Sequence, residues 1–339
     1  MLKYIIKRLA WCILILLGVS LIIYVLVRSM PTDFIEDKIN AINQGGATVD
    51  EATKTAMYKS YGIEPYPENA TFWEKTQINV RGYFGWLKSI CTLDFGNSFI
   101  DNQPVVDKIV NNMGVSFWIA LIATVFEFLI AIPLGITAAR HQYSVRDYIV
   151  TILVMIGISL PSFFFGQVLK NLFANQLGWF PPSGLIDANL VNPTFGEMMV
   201  DYLRHLFIPI LTVVILSIGA RMRMTRTNML EVLNSDYIRT ARAKGLKERV
   251  VIYKHAFRNT MIPLVTSLAG LLPSLFSGAM ITEQVFDLPG IGNVAYDAMM
   301  RGDIPFIMGY NMFLALLSVI GVLLADLMYA VVDPRVKLK

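Results

Sequence analysis

Read only for runs of apolar positions, the chain breaks into six blocks separated by polar segments of unequal length. Residues 9–27 (LAWCILILLGVSLIIYVLV) run 19 positions without a charge. Further blocks fall at 115–139, 148–172, 205–222, 262–282 and 306–331, the fourth having an apolar core of only 206–220. An α-helix needs about 20 apolar residues to cross a bilayer. The pattern therefore predicts an all-α membrane protein with six transmembrane helices. Lys3, Lys7 and Arg8 precede the first block, as in a secretory signal peptide. That block is longer than the roughly 7–15 residues of a signal core and ends in Val-Arg-Ser-Met-Pro without a small-residue cleavage site, so an uncleaved first helix is expected. Pro133, Pro161, Pro209, Pro263 and Pro273 lie within or at the ends of blocks and predict kinks, since proline brings no N–H to the helix ladder.

Composition agrees. Of 339 residues, 55% are hydrophobic and 16% charged, with a mean hydropathy of +0.54. Soluble domains carry about 25% charged residues, and that class is excluded.

The net charge of +4 says less than where the charges sit. The 140–147 link has Arg140 and Arg146 against Asp147, and the tail has Arg335, Lys337 and Lys339. Segment 221–260 has ten Lys/Arg against Glu231, Asp236 and Glu248. On the other side, 283–305 has Glu283, Asp287, Asp297 and Asp303 against Arg301, and 30–112 has eleven acidic and seven basic residues. Lys and Arg accumulate on the cytoplasmic side because they resist translocation. Both termini are thus expected inside, with four predicted regions. They are a first transmembrane helix (1–29), an extracytoplasmic segment (30–112), a five-helix core (113–333) containing a cytoplasmic loop (221–260), and a cytoplasmic tail (334–339). The 30–112 segment reads either as a cap on the outer mouth or as a docking surface for a substrate-delivering protein. The positive-inside rule accounts for the basic loop, so no nucleic-acid partner is expected.

Little in the chain suggests catalysis. Cys12 lies in the first apolar block and Cys91 in a polar segment, and His141, His205 and His255 are far apart without HExxH spacing, so no metal site is expected. No GxxxxGK[ST] loop occurs, nor any Gly-Lys dipeptide, and ATP chemistry needs that phosphate-cradling backbone and its lysine. There is no GxSxG elbow. The chain is expected to be non-catalytic, with no cofactor of its own. Glu127, mid-block in the second span, is the one carboxylate at bilayer depth. Such a group faces a bundle interior or a wet cavity. It is either a pathway-lining residue or a paired carboxylate holding helices together. Lys170 and Asp326, nearer span ends, read as snorkelling side chains.

The 221–260 loop has too much pattern for a connector. Ser235-Asp236 supplies an N-cap and an acidic first turn. Tyr237, Ile238, Ala241 and Ala243 then alternate with Arg239, Arg242 and Lys244, and Gly245 offers a left-handed stop with Leu246 behind it. This predicts a short helix over 236–246, and Lys247-Glu248-Arg249 starts a second helix running into the fifth span. The short helix could lie on anionic lipid. Alternatively it is a knob for a partner's groove, which its alanines and glycine favour because they allow close backbone approach.

The stretch DYIRTARAKGL…YKHAFRNTMIP resembles the coupling loop of ABC importer permeases, in the variant of the dipeptide/oligopeptide permease family. The wider pattern is Glu-Ala-Ala, three residues, Gly. In that register this chain has Arg239-Thr240-Ala241 and Gly245, so the Glu and one Ala are replaced, and its Pro263 falls later than the family's proline. LDFGNS (93–98) with Pro104-Val105, LPSFFFG (160–166), VFDLPGIG (285–292) and ADLMYAVVDPR (325–335) are similar to further segments of that family, in the same order. The resemblance implies a type I ABC importer permease in a bacterial or archaeal cytoplasmic membrane. Its implied partners are a second, homologous permease forming a heterodimer, two cytoplasmic ATPase subunits that bind ATP and Mg, and an extracytoplasmic solute-binding protein. Thr240, Ala241, Gly245 and Leu246 would form the ATPase contact, flanked by Arg239, Arg242 and Lys244. Peptides, oligosaccharides and nickel complexes are all substrates of such relatives. The remaining alternative, a secondary transporter, would need no coupling loop and is typically built from inverted repeats.

Overall fold

The computed structural model describes residues 2–29, 34–44, 48–60, 63–64, 66–67, 69–190, 192–267 and 270–332. The expected tail, 334–339, and the end of the 325–335 motif lie outside them. The described residues are mostly helical, with longer irregular connections at 92–104 and 177–194, and the chain forms two compact units, Met1–Asn112 with Val294–Val319, and Met113–Asn293 with Ile320–Lys339.

The helices are α1 (Leu2–Arg28), α2 (Phe34–Gln44), α3 (Glu51–Ser60), α4 (Phe72–Cys91), α5 (Val105–Arg140), α6 (Val145–Ser159), α7 (Ser162–Leu169), α8 (Phe195–Leu233), α9 (Asp236–Ala243), α10 (Glu248–Val250), α11 (Phe257–Ser267), α12 (Leu271–Phe276), α13 (Met280–Phe286), α14 (Ile291–Arg301) and α15 (Ile304–Val332). Wider π-helical turns continue α7 over Lys170–Gln176 and α10 over Val251–Ala256. Among the described residues, four helices are long and apolar enough to cross a membrane: α1 from Ile6, α5, α8, and α15 to Asp326. The pair α6–α7 makes a fifth such element if its two arms count as one span.

Three apolar blocks fold differently from the simplest expectation. The 148–172 block is bent by 102° between α6 and the α7 arm, not straight. Pro161 disfavours helical backbone at the residue before it, and Leu160 is extended (φ −88, ψ 134). The 262–282 block is divided among α11, α12 and α13, and Gly278 (φ +71) takes a left-handed conformation before the last of them. The 205–222 block sits inside the 39-residue α8, which also absorbs the first third of the expected 221–260 loop. RMRMTRTNMLEVL contains neither Gly nor Pro, so nothing stops the helix before Asn234.

In the first unit, Tyr24, Val27, Ile35, Ile39, Tyr58, Trp86, Ile304 and Met308 form one apolar core. After α4 the chain makes a tight turn in which Val105 N–H donates to the Gly96 carbonyl (3.0 Å) and Ser98 N–H to the Gln103 carbonyl (2.9 Å). That turn sets Ser98 and Lys108 beside the fully buried Asp303. In the second unit, Ile119, Leu169, Ile208, Phe286 and Leu288 form one core, and a separate one lies under α9.

Candidate functional site

Helix α9 begins at Asp236, as expected, with Ser235 in the extended backbone of an N-cap (φ −73, ψ 152). Its side chain does not cap, however. Ser235 Oγ instead donates back to the Val232 carbonyl (2.6 Å), tying α9 to the end of α8. The helix ends in a Schellman turn: Gly245 N–H donates to the Arg242 carbonyl (2.9 Å) and Leu246 N–H to the Ala241 carbonyl (3.4 Å). Gly245 carries the left-handed backbone this turn requires (φ +74), and no atom lies within 4 Å of where its Cβ would be.

Of the residues expected to meet a partner, the structure separates Ala241 from the rest. Ile238 and Ala241 point inward and pack with Ile136 and Ala139 of α5, Met229 of α8, and Val251, Ile252 and Ala256. At three residues apart they share one helix face, and that face is spent on this chain's own core. Ala241 therefore faces this chain's own core and holds α9 in place. Arg239, Thr240, Arg242, Lys244, Gly245 and Leu246 are exposed, as is Tyr237, which accepts from Asn259 Nδ2 (2.9 Å). Arg242 makes a two-pronged pair with Glu248 (2.9 and 3.2 Å) across the turn. The Arg242 guanidinium holds the Glu248 carboxyl below its ordinary range.

A second ion pair fixes the same region more deeply. Arg226 of α8 grips Asp147, at the start of α6, with two hydrogen bonds (2.9 and 2.7 Å). Asp147 is 4% exposed and also accepts from Tyr143 N–H (3.0 Å). Both residues appear in the sequence only as members of charged connecting segments. Nothing in their spacing, 79 positions apart, announces the pair.

Glu127 is paired as well. Its Oε1 accepts from Arg221 Nε (3.0 Å), whose Nη1 donates to Ser267 Oγ (2.8 Å) and whose guanidinium lies over the Phe128 ring (4.6 Å). This joins α5, α8 and α11. The pair also borders a cavity shared with Thr124, Leu271 and Ser274, so Glu127 both bridges helices and faces open space. In the sequence Arg221 closes the fourth apolar block and reads as the first charge of a loop, so its pairing with Glu127 leaves no local signal. Lys170 Nζ donates to the Val285 carbonyl (2.8 Å).

The VFDLPGIG motif encloses a carboxylate. Glu283 of α13 is fully buried and accepts from Ser116 Oγ (2.7 Å), Ala279 N–H (2.9 Å) and Asn293 N–H (3.0 Å), and Ser116 Oγ in turn accepts from Ile291 N–H (2.9 Å). Gly278, Gly290 and Gly292 crowd against it so closely that a Cβ on any of them would overlap the carboxylate.

Residues 131–338 match the family described as binding-protein-dependent transport system inner membrane component, and residues 1–120 match the N-terminal part of such membrane components. Similar proteins include the oligopeptide transport system permease protein AppB of Bacillus subtilis (strain 168), 33% identical over 99% of this chain and 100% of that protein. The dipeptide transport system permease protein DppB of Alkalihalophilus pseudofirmus is 28% identical over 99% of this chain and 100% of its own length. The peptidoglycan transport system permease protein YejB of Agrobacterium fabrum is 30% identical, covering 98% of this chain and 97% of its own.

Proposed function

Since the chain belongs to the family of binding-protein-dependent transport system inner membrane components, we propose that it forms half of a peptide-conducting path and is driven through helix α9. It is a non-catalytic permease component of an ABC importer, set in the inner membrane. Six spans, with a core over 113–333, follow the apolar blocks of the sequence, and both termini cytoplasmic follow the charge asymmetry of its short loops, with which an extracytoplasmic 30–112 segment agrees. The partners in this reading are a homologous permease, two ATPase subunits carrying ATP and Mg, and a solute-binding protein. The peptide class follows the names of its relatives.

One observation carries the coupling assignment. Helix α9 is bolted to α5 and α8 by Ile238 and Ala241, while its other side and its glycine turn stand uncovered. A short rigid element with one face in the bundle and one in solution transmits displacement, because packed cores shift between discrete arrangements and do not deform continuously. Thr240, Gly245 and Leu246 would seat in the ATPase groove, with Arg239, Arg242 and Lys244 as flanking charges. Ala241 serves from behind as the anchor. Glu127, with Arg221, would line the translocation path, where the cavity gives a passing peptide a carboxylate and a guanidinium.

Gly245→Asp tests the coupling. Aspartate tolerates left-handed backbone better than most residues, so the turn survives while a charge and bulk enter the contact. In proteoliposomes carrying the assembled importer, ATP hydrolysis should persist while peptide uptake falls by about tenfold or more, a loss of some 1.4 kcal/mol of coupling. Normal uptake at normal membrane abundance would rule the assignment out.

A further inference from the structure

Helix α4 leaves an apolar stripe uncovered. Trp73, Val80, Phe84, Leu87 and Cys91 recur at helical spacing, all within about 40° of one line at 3.6 residues per turn, with Leu87 half-buried and Gln77 the one polar side chain in the same arc. Trp73, Val80 and Phe84 are 73%, 50% and 62% exposed, and Cys91 is exposed at the end of the stripe. Another side of α4 is used by the fold: Asn79, Tyr83 and Trp86 pack on α1.

Where α4 meets α1 decides what covers the stripe. Arg28 Nε, at the last residue of the apolar span, donates to Asn79 Oδ1 (2.8 Å). Tyr83 lies deeper. Its hydroxyl bonds Ser20 Oγ (2.9 Å) and donates to the Leu17 carbonyl (3.3 Å), and its ring meets Tyr24 edge-on at 5.6 Å. Ser20 lies eight residues before Arg28, about 12 Å down the helix axis at 1.5 Å per residue. The attachment points thus fall inside the apolar span, not beyond its end. On the same stretch α1 leaves Leu21, Ile22, Val25 and Leu26 between 48% and 64% exposed, the surface a span gives to acyl chains. Arg81 and Lys88, both exposed, flank the stripe on one side, where cationic groups reach lipid phosphates while their stems cover apolar surface.

We propose that α4 is an interfacial helix lying in the membrane leaflet at the Arg28 end of α1, with its stripe about 5–10 Å into the headgroup–acyl boundary. Most of the 30–112 segment remains in water, but this helix does not. It clamps the first span at a fixed depth, and the turn that places Ser98 and Lys108 follows directly from its end. Which leaflet this is rests on the orientation proposed above; insertion itself does not.

The test uses the full chain in phospholipid vesicles, with Cys12 and Cys91 replaced by serine. An environment-sensitive fluorophore is attached at Val80→Cys, Phe84→Cys or Lys75→Cys, the last on an exposed position opposite the stripe. Lipids brominated on their acyl chains should remove about half of the emission at 80 and 84, with little effect at 75, and aqueous iodide should show the reverse, as a helix buried along one face requires. Iodide quenching at all three positions with no bromolipid effect would overturn the proposal. So would protection of 80 and 84 that appears only after a solute-binding protein is added, since the stripe would then be a protein dock. Labelling Lys75→Cys with an impermeant maleimide in intact cells or inverted vesicles reports the leaflet separately, so a wrong orientation and a failed insertion give different results.

Discussion

Among the described residues, each compact unit buries one carboxylate completely, and the two solve the problem differently. Asp303 in the first unit is held beside a cation. It accepts from Ser98 Oγ and from Phe99 N–H (2.9 Å), with Lys108 Nζ at 3.8 Å. Lys108 also pairs with Asp101 (2.9 Å) and donates to Ser98 (3.0 Å). Glu283 in the second unit has only neutral donors around it, two backbone N–H groups and one hydroxyl. Backbone donors can converge on it because glycines at 278, 290 and 292 bring the chain within touching distance. By contrast, Gly302, next to Asp303, meets no atom within 4 Å and serves only its left-handed backbone (φ +68). One site therefore depends on charge and the other on space, and they should fail under different substitutions.

The largest expected effect is Lys108→Met. It removes the cation and strands Asp303 in the core, and breaking a buried pair from one side costs about 3–5 kcal/mol. Thermal unfolding of the purified chain in detergent should show a large drop in Tm, part of which returns when Asp303→Asn is added to Lys108→Met. A single substitution that leaves Tm unchanged would mean that the lysine does not offset the charge.

Next comes Gly290→Ala, which attacks the other site through volume alone. The added methyl overlaps both the Glu283 carboxylate and Ser116 Oγ, and overpacking of this kind costs about 1–3 kcal/mol. Ser116→Ala should cost less, about 1–2 kcal/mol, because it removes a single donor. The effect would still be felt twice, since the same hydroxyl accepts from Ile291 N–H and must therefore direct its proton to Glu283. If Gly290→Ala were as stable as the parent while Ser116→Ala unfolded it, the division into a charge site and a space site would be wrong.

These two sites also mark what the sequence conveys. The apolar blocks, the α9 helix and its glycine stop are local features, fixed within a few residues by periodicity and turn chemistry, and they are legible. LDFGNS and VFDLPGIG stand out as motifs, but their purpose is not legible, because each packs around a carboxylate through a contact far away in sequence. Ser98 meets Asp303 across 205 positions and Ser116 meets Glu283 across 167. The pairs Asp147–Arg226 and Glu127–Arg221 were hidden for the same reason. The bend at Leu160 is partly legible in Pro161, whereas the division of 262–282 into three helices is not, since prolines in an apolar run mark a kink and a full break alike. Ala241 shows the opposite limit. The motif marks it as a contact, and only its neighbours at Ile136, Met229 and Ile252 reveal which way it faces.

The smallest expected effect sharpens the contrast between a buried charge and an exposed one. Arg242 and Glu248 make a geometry as good as that of Arg226 and Asp147, but their side chains are 44% and 42% exposed. Water screens such a pair, and it is worth about 0–1 kcal/mol. Glu248 has its carboxyl pKa lowered in the folded chain, so it binds its proton less readily there than in the unfolded chain. The stability it adds is therefore complete above the ordinary value of 4.5 and disappears as the pH falls through the lower, folded value. Glu248→Gln should thus change Tm by no more than a degree or two at neutral pH, and that small gap from the parent should close on acidification below about 4.5. A gap of several degrees that persisted in acid would mean that Glu248 supports the α9 turn through its shape and not through its charge.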